Sequence, residues 1–293
     1  MKKVLIIGID SFTGQHLKRY LINYDFDVHG TNISSNSNKI YKCDITLKNQ
    51  IKDIIKELKP NYIINLAGIS FVGNDNKELF YKVNVLAVEN ILESVLEIEN
   101  YIPNKIILVS SATVYGRQED NILDEFMTPN PVNHYGISKL AMEQIAKTYY
   151  DKLNIIISRP FNYTGIGQDE QFLIPKIVNH FKENKQYIEL GNIEVYREFN
   201  DIDFISEAYR RLLENSITNE IVNIASNRII ALKDVITNMN KIVGYEMVIK
   251  VNPLFIRENE IIKLSVSTKK LFSLVGEIKQ KNFIQTLEDM YVD

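Results

Sequence analysis

Val4-Leu5-Ile6-Ile7-Gly8-Ile9-Asp10-Ser11-Phe12-Thr13-Gly14 stands almost at the start of the chain. Four consecutive apolar residues running into a glycine are the pattern of a short strand buried on both faces. Beyond Gly14, Leu17, Tyr20 and Leu21 recur at helical spacing. The stretch therefore reads as strand, glycine-rich turn and helix. The backbone amides of such a helix N-terminus suit a pyrophosphate.

The same rhythm repeats downstream. Asp27 to Thr31 reads as a second strand, and the Ser/Asn-rich residues 33–39 as a loop. A helix over 47–58 is stopped by Pro60. Tyr62 to Ala67, Lys105 to Ser110 and Asn154 to Pro160 read as further buried strands, with helices over 77–98 and 135–152 between them. Strand alternating with helix predicts an α/β fold, a doubly wound parallel sheet with helices on both faces. After Pro160 the rhythm breaks. Residues 161–200 predict two short strands and a helix over 172–184, and Ile221 to Ala225 predicts one more strand of the main sheet. The C-terminal part reads as a smaller substrate lobe interleaved with the sheet. This divides the chain into a dinucleotide domain, 1–162 with about 197–227, and a lobe, about 163–196 with 228–293.

Composition narrows the function. The chain has 293 residues, 45% hydrophobic and 24% charged, an ordinary globular balance. A net charge of −3 gives no basic footprint, so nucleic acid is not the expected partner. No apolar run is long enough to span a bilayer, and Met1-Lys2-Lys3 leads into too short an apolar run for a signal peptide. The single cysteine, Cys43, leaves no intrachain disulfide and fits a reducing cytoplasm, as a small buried residue. No metal site is expected.

Tyr135-Gly136-Ile137-Ser138-Lys139 places a phenol and an ammonium at i, i+4, on one face of a helix. A neighbouring Lys⁺ is expected to favour the phenolate and lower the phenol pKa from its reference of about 10. Such a tyrosine can exchange a proton with a sugar or alcohol oxygen. With 16 tyrosines, chance supplies such pairs, and Tyr101–Lys105 is a second one. That one contains Pro103 and runs into a strand, so it does not share a helix face. Ser110-Ser111-Ala112-Thr113-Val114-Tyr115-Gly116 closes the fifth strand, so Ser111 projects beyond a strand's carboxyl end, where ligands of open parallel sheets bind. Ser110, Thr113 and Tyr115 are equally readable as strand-end caps and packing.

The acid that commonly ends the second strand of dinucleotide domains is missing after Thr31. Asn32, Ser34, Ser35 and the more distant Lys39 stand there instead, and nothing repels a 2′-phosphate. NADP(H) is therefore favoured over NAD(H). Asp44-Ile45 could meet the adenine edge, with a helix N-cap by Asp44 or Thr46 as the other reading.

Taken together these stretches resemble the extended short-chain dehydrogenase/reductase superfamily, the nucleotide-sugar epimerase, dehydratase and reductase group with a Rossmann-type sheet. The resemblance runs from Lys3 to about Gly276. It rests on the Gly8 turn, Asp44-Ile45, Asn65-Leu66-Ala67-Gly68, Val83-Asn84-Val85, Ser111, Tyr135 with Lys139, and Arg159-Pro160-Phe161-Asn162. It implies that Tyr135 is the acid/base. Ser111 is implied to bond the reacting sugar oxygen, and Lys139 to hold the nicotinamide ribose. It implies cofactor contacts at Gly8, Ser11, Phe12, Thr13, Gly14, Asn32, Asp44, Ile45, Leu66, Ala67, Gly68 and Pro160, besides Tyr135 and Lys139. Substrate contacts are implied at Ser70, Phe71, Val72, Thr113, Asn162, Phe172, Arg197, Arg257 and Glu260, with the two arginines near the diphosphate.

Sugar-nucleotide 4,6-dehydratases carry Asp-Glu or Ser-Glu where this chain has Ala112-Thr113, and a dehydratase needs that carboxyl. Ser-Ser-Ala-Thr-Val-Tyr-Gly is similar to 4-epimerases. Arg159 through Gln168, Leu66 through Val72, and Gly191-Asn192 followed by Arg197 through Asp201 look like GDP-6-deoxy-4-keto-mannose reductases. The resemblance thus implies an NADPH-dependent C4-ketoreductase of a nucleotide-linked, GDP-type 4-keto-6-deoxy sugar. The alternatives are a 4-epimerase with tightly held NAD and a non-catalytic dinucleotide sensor, a class that commonly lacks the Tyr/Lys pair. A homodimer through the helices over 77–98 and 135–152 is also implied, with Ile91, Leu92, Val95 and Leu96 as dimer face or core. Two departures stand out: Ser11 occupies the middle glycine position, and Arg257-Glu258-Asn259-Glu260 replaces Arg-Pro-x-Asp/Glu.

Overall fold

Val4 and Ile6 point into one hydrophobic layer, and Leu5 and Ile7 into another. All four are fully buried. A strand with both faces covered is what the unbroken apolar run requires, since side chains alternate across the sheet. The computed structural model describes residues 1–70, 75–118, 122–255, 262–263 and 265–293. Strands β1 (Lys2–Ile7), β2 (Phe26–Asn32), β3 (Ile40–Lys42), β4 (Tyr62–Asn65), β5 (Lys105–Val109), β6 (Ile155–Pro160) and β7 (Glu220–Ile224) form a seven-stranded sheet. Its order is β7-β6-β5-β4-β1-β2-β3, and every neighbouring pair is parallel. This is the expected Rossmann-type doubly wound sheet.

The helices are α1 (Phe12–Ile22), α2 (Lys48–Leu58), α3 (Lys77–Tyr81), α4 (Ala87–Leu96), α5 (His134–Lys147), α6 (Leu173–Lys182), α7 (Ile202–Glu214), α8 (Leu232–Val243), α9 (Lys269–Val275) and α10 (Phe283–Val292). One face of the sheet is covered by α1 and α7, through Leu17, Leu21, Ile205, Tyr209 and Leu212, and Leu271 of α9 joins that layer. The other face is covered by α2, α4 and α5, through Ile51, Ile55, Ile91, Leu92, Val95 and Met142. Each such side chain contributes about 1.5–3 kcal/mol of burial, so the sandwich fixes the sheet register firmly. A separate cluster joins α6, α8 and α10 through Ile177, Phe181, Val235, Met239 and Leu287, the core of the C-terminal lobe.

Three expectations change in detail. The helix over 77–98 is not continuous: Lys82–Leu86 is a π-helical turn between α3 and α4. The helix over 135–152 ends at Lys147. Four short strands, not two, lie between residues 161 and 200, because Tyr163–Thr164 pairs with Asn200–Asp201 and Tyr187–Leu190 and Tyr196–Glu198 find partners in the C-terminal region. Ile91, Leu92 and Val95 are core, while Leu96 is exposed. Among the described residues no helix is long and apolar enough to cross a membrane.

Candidate active site

The carboxyl ends of β1, β4, β5 and β6 deliver Gly8, Leu66 to Ser70, Ser110-Ser111 and Phe161 to Thr164 to one edge of the sheet. Gly8 has φ +83°, a left-handed conformation that favours glycine, and a Cβ there would lie 2.9 Å from the Ala67 amide nitrogen. A Cβ on Gly14 would lie 2.5 Å from the Gly8 carbonyl oxygen, so helix α1 can start only this close to β1 because Gly14 is bare. The result is a tight cradle at a helix N-terminus, whose first amides lack intrahelical acceptors. It fits a dinucleotide pyrophosphate.

Ser11 adapts to the missing glycine. Its hydroxyl donates to the Gly8 carbonyl at 2.7 Å and accepts from the Gly14 amide at 3.1 Å, capping α1. Its only proton is therefore spent on the turn, and a pyrophosphate there would meet the Phe12 and Thr13 amides. Thr13 shares a hydrogen bond of 2.8 Å with the Tyr163 phenol, and Phe12 stacks on the Tyr163 ring. Tyr163 thus buttresses the turn, a contact across 150 residues that no local motif announces.

Asn32 accepts from the Ser34 and Ser35 amides, both at 2.9 Å, and so shapes the loop after β2. Lys39 pairs with Asp27 at 2.7 Å, with its side chain about half exposed. The Asp44 carboxylate accepts from the amide and hydroxyl of Thr46 at 2.9 and 2.7 Å. It caps that turn and is not the N-cap of α2, which is Leu47. Ile45 is buried beside it.

Tyr135 lies in the first turn of α5, started by Asn133, whose side chain accepts from the Gly136 amide at 2.9 Å. Its phenol faces the Ser111 hydroxyl, and that hydrogen bond favours the phenolate. Burial outweighs it and pushes the phenol up to about 12, the opposite of the expected lowering. Lys139 is closed in as well. The residue is only 7% exposed, and its amine donates to the Val109 carbonyl at 2.8 Å. Burial also brings Lys139 down to about 8, with Glu143 opposing. Desolvation governs both groups. Tyr101 and Lys105 part company, as expected: Tyr101 donates to Pro60 and Lys105 to the Leu212 and Asn215 carbonyls.

Asn84 sits fully buried in the π-turn. Its side chain accepts from the Ile69 amide at 2.8 Å and donates to the Ile69 carbonyl at 3.1 Å and the Ser138 hydroxyl at 3.0 Å. It therefore staples the β4 loop to the helix bearing Tyr135 and Lys139. Single π-turns are often found at functional sites. A Cβ on Gly68 would lie 3.0 Å from this amide and 3.2 Å from the Lys139 amine. One further stride along α5, Glu143 is fully buried and accepts from Ser110 at 2.5 Å and from Arg159 at 2.9 and 2.6 Å. The repeat Tyr135, Lys139, Glu143 is the sequence signal that would have found it.

The substrate residues are less gathered. Ser70, Thr113 and Asn162 are exposed, and Phe172 is half-buried at the N-cap of α6. Arg197 donates to the Tyr196 and Ile262 carbonyls at 2.9 and 3.3 Å. Pro160 ends β6 in the sheet. Phe71, Val72, Arg257 and Glu260 lie outside the described residues.

Residues 4–225 match the model of the NAD dependent epimerase/dehydratase family. The chain belongs to that family. It is 33% identical to the GDP-6-deoxy-D-talose 4-dehydrogenase of Aggregatibacter actinomycetemcomitans, over 99% of this chain and 97% of that protein. It is 25% identical to the GDP-6-deoxy-D-mannose reductase of Pseudomonas aeruginosa, over 100% and 97%. Its fold matches the structure of RMD from Pseudomonas aeruginosa complexed with NADPH, with a TM-score of 0.88, 24% identity and 100% and 97% coverage.

Proposed function

We propose that this protein is a C4-ketoreductase of a nucleotide-linked 4-keto-6-deoxy sugar, GDP-linked, using NADP(H). The observation that carries this reading is the Ser111–Tyr135–Lys139 cluster, with Tyr135 held protonated and no carboxyl at Ala112-Thr113. A protonated phenol is an acid ready to donate, and elimination chemistry lacks its carboxyl. The similar talose 4-dehydrogenase and mannose reductase support C4 redox on GDP-6-deoxy sugars, one name being the oxidative direction of such a step. The missing acid after β2 and the NADPH complex of a fold relative support NADP(H).

A bound nicotinamide supplies the hydride for C4. Tyr135 gives its proton to O4, and Ser111 donates a hydrogen bond to the same oxygen. Lys139 holds positive charge beside the phenolate left behind, and its place next to Gly68 suits it to grip a ribose hydroxyl. Residues 1–162 with about 197–227 hold the dinucleotide, and the remaining lobe holds the nucleotide sugar. At the boundary between them Arg197 meets the diphosphate through paired donors, and Asn162 meets the sugar or first phosphate. A cytoplasmic homodimer through α4 and α5 completes the reading, supported by exposed Leu86, Leu96 and Ile137.

The test is direct. Purified protein with a GDP-linked 4-keto-6-deoxy sugar should consume NADPH one-for-one with the ketone and carry little cofactor from purification. Tightly bound NAD, with interconversion of C4 alcohols and no net NADPH use, would overturn it in favour of a 4-epimerase.

A further inference from the structure

We propose that Thr113 is a positioning residue that fixes the direction of the Ser111 proton, keeping it on the side where Tyr135 lies and where the reacting oxygen would meet it. The inference rests on the role given to Ser111 and Tyr135 above.

A serine hydroxyl has one proton and two lone pairs. Thr113 fills both lone pairs of Ser111: its amide donates at 3.2 Å and its hydroxyl at 2.9 Å. Ser111 can accept nothing more, so its proton points away from Thr113, to the side where the Tyr135 phenol lies. The chain Thr113 to Ser111 to Tyr135 is polarised in one direction, and each bond strengthens the next.

Two features keep the chain taut. Ser111 is extended, with φ −161° and ψ 150°, and caps the short helical turn Ala112–Val114 that carries Thr113 back over it. Gly136, the neighbour of Tyr135, lets this turn press against α5. A Cβ there would lie 2.9 Å from the Thr113 carbonyl oxygen and 2.9 Å from Pro131. The Thr113 backbone and the first turn of α5 are therefore in contact.

The consequence is catalytic only through Ser111. During proton transfer charge moves between the phenol oxygen and the sugar oxygen, and the single Ser111 proton, already held on that side, can follow it without first turning away from Thr113. Without the Thr113 hydroxyl, Ser111 can rotate and turn a lone pair toward Tyr135.

The test compares Thr113→Val, which removes the hydroxyl at nearly constant volume, with Thr113→Ser, which keeps it. Thr113→Ala serves if the valine variant does not fold. In steady-state reduction, Thr113→Val should lower kcat about tenfold with KM changed less than about threefold, and Thr113→Ser should restore kcat; tenfold is the scale of one hydrogen bond to a developing charge. The second readout needs no substrate. Tyr135 is replaced by difluorotyrosine, whose low intrinsic pKa brings ionisation into an accessible range, and followed by fluorine NMR. Its midpoint should rise by about one unit in Thr113→Val and stay put in Thr113→Ser. An unchanged midpoint in Thr113→Val, or equal effects of valine and serine, would overturn the proposal. If the wild-type protein reduces no 4-keto sugar, the proposed reaction fails, while the NMR comparison still decides the role of Thr113.

Discussion

Replacing Arg159 with methionine should destabilise the protein by about 3–5 kcal/mol near neutral pH. The magnitude follows from the surroundings of the guanidinium. The Arg159 and Glu143 side chains are 2% and 0% exposed, and the paired bonds between them measure 2.9 and 2.6 Å. The guanidinium also lies 4.8 Å from the centre of the Tyr115 ring. Methionine keeps much of the packing against that ring but removes the charge and two of the three donors to Glu143. A buried carboxylate left with the Ser110 hydrogen bond in place of three is costly. Urea unfolding near neutral pH measures this for Arg159→Met, Glu143→Leu and the double variant. The double variant should recover most of the loss, because an apolar pair can replace a buried ion pair at little cost. A double variant as poor as the sum of the singles would refute the reasoning. The loss would then belong to packing of the arginine stem.

Three further outcomes are expected. Tyr135→Phe should cut turnover by about 10²–10⁴-fold while leaving the urea midpoint close to wild type, because only the proton donor is lost. Gly136→Ala should cost activity more than stability, since a Cβ 2.9 Å from the Thr113 carbonyl pushes the Ser111 turn off α5; a crystal structure showing that turn unmoved would count against it. Lys139→Met should stabilise the apoprotein at neutral pH by about 1–3 kcal/mol. The folded pKa of Lys139 is lowered to about 8, so the cost of its charge is fully present below that value and disappears as pH rises toward the unfolded value. Thermal melts across that window should show the two proteins converge.

Much of the fold was legible because β1, β4, β5 and β6 are apolar on successive residues, a pattern that only doubly covered parallel strands sustain in so short a run. The π-turn at Lys82–Leu86 was not legible. Its extra residue is accommodated where Asn84 finds Ile69 and Ser138, partners far off in sequence. The two-residue pairing of Tyr163–Thr164 with Asn200–Asp201 is likewise a tertiary event without local pattern. In the site, Tyr135 and Lys139 were legible by helical stride. Glu143 extends the same stride but was left unread, because its meaning depends on Arg159 and Ser110 arriving from two other segments. The four substrate positions at 71, 72, 257 and 260 rest on resemblance alone.

The sign of the Tyr135 shift is where sequence reasoning fails for a clear physical reason. Pair spacing shows which charge is near, but it does not show how much water is near. Here the sheet edge, the Gly68 loop and α5 close around both groups, so desolvation raises the acid and lowers the base at once. The two shifts belong to one cause and suit one direction of reaction. At neutral pH the phenol carries its proton and the lysine still carries most of its charge. In the proposed reduction the phenol proton is spent and a negative oxygen forms one helical stride from the Lys139 amine, which Glu143 already helps to keep charged. Oxidation must start from that pair and discharge it. On the proposed chemistry, a site that rests as neutral phenol and ammonium is set to deliver a proton to a ketone oxygen, and the supply of reduced cofactor decides whether it does.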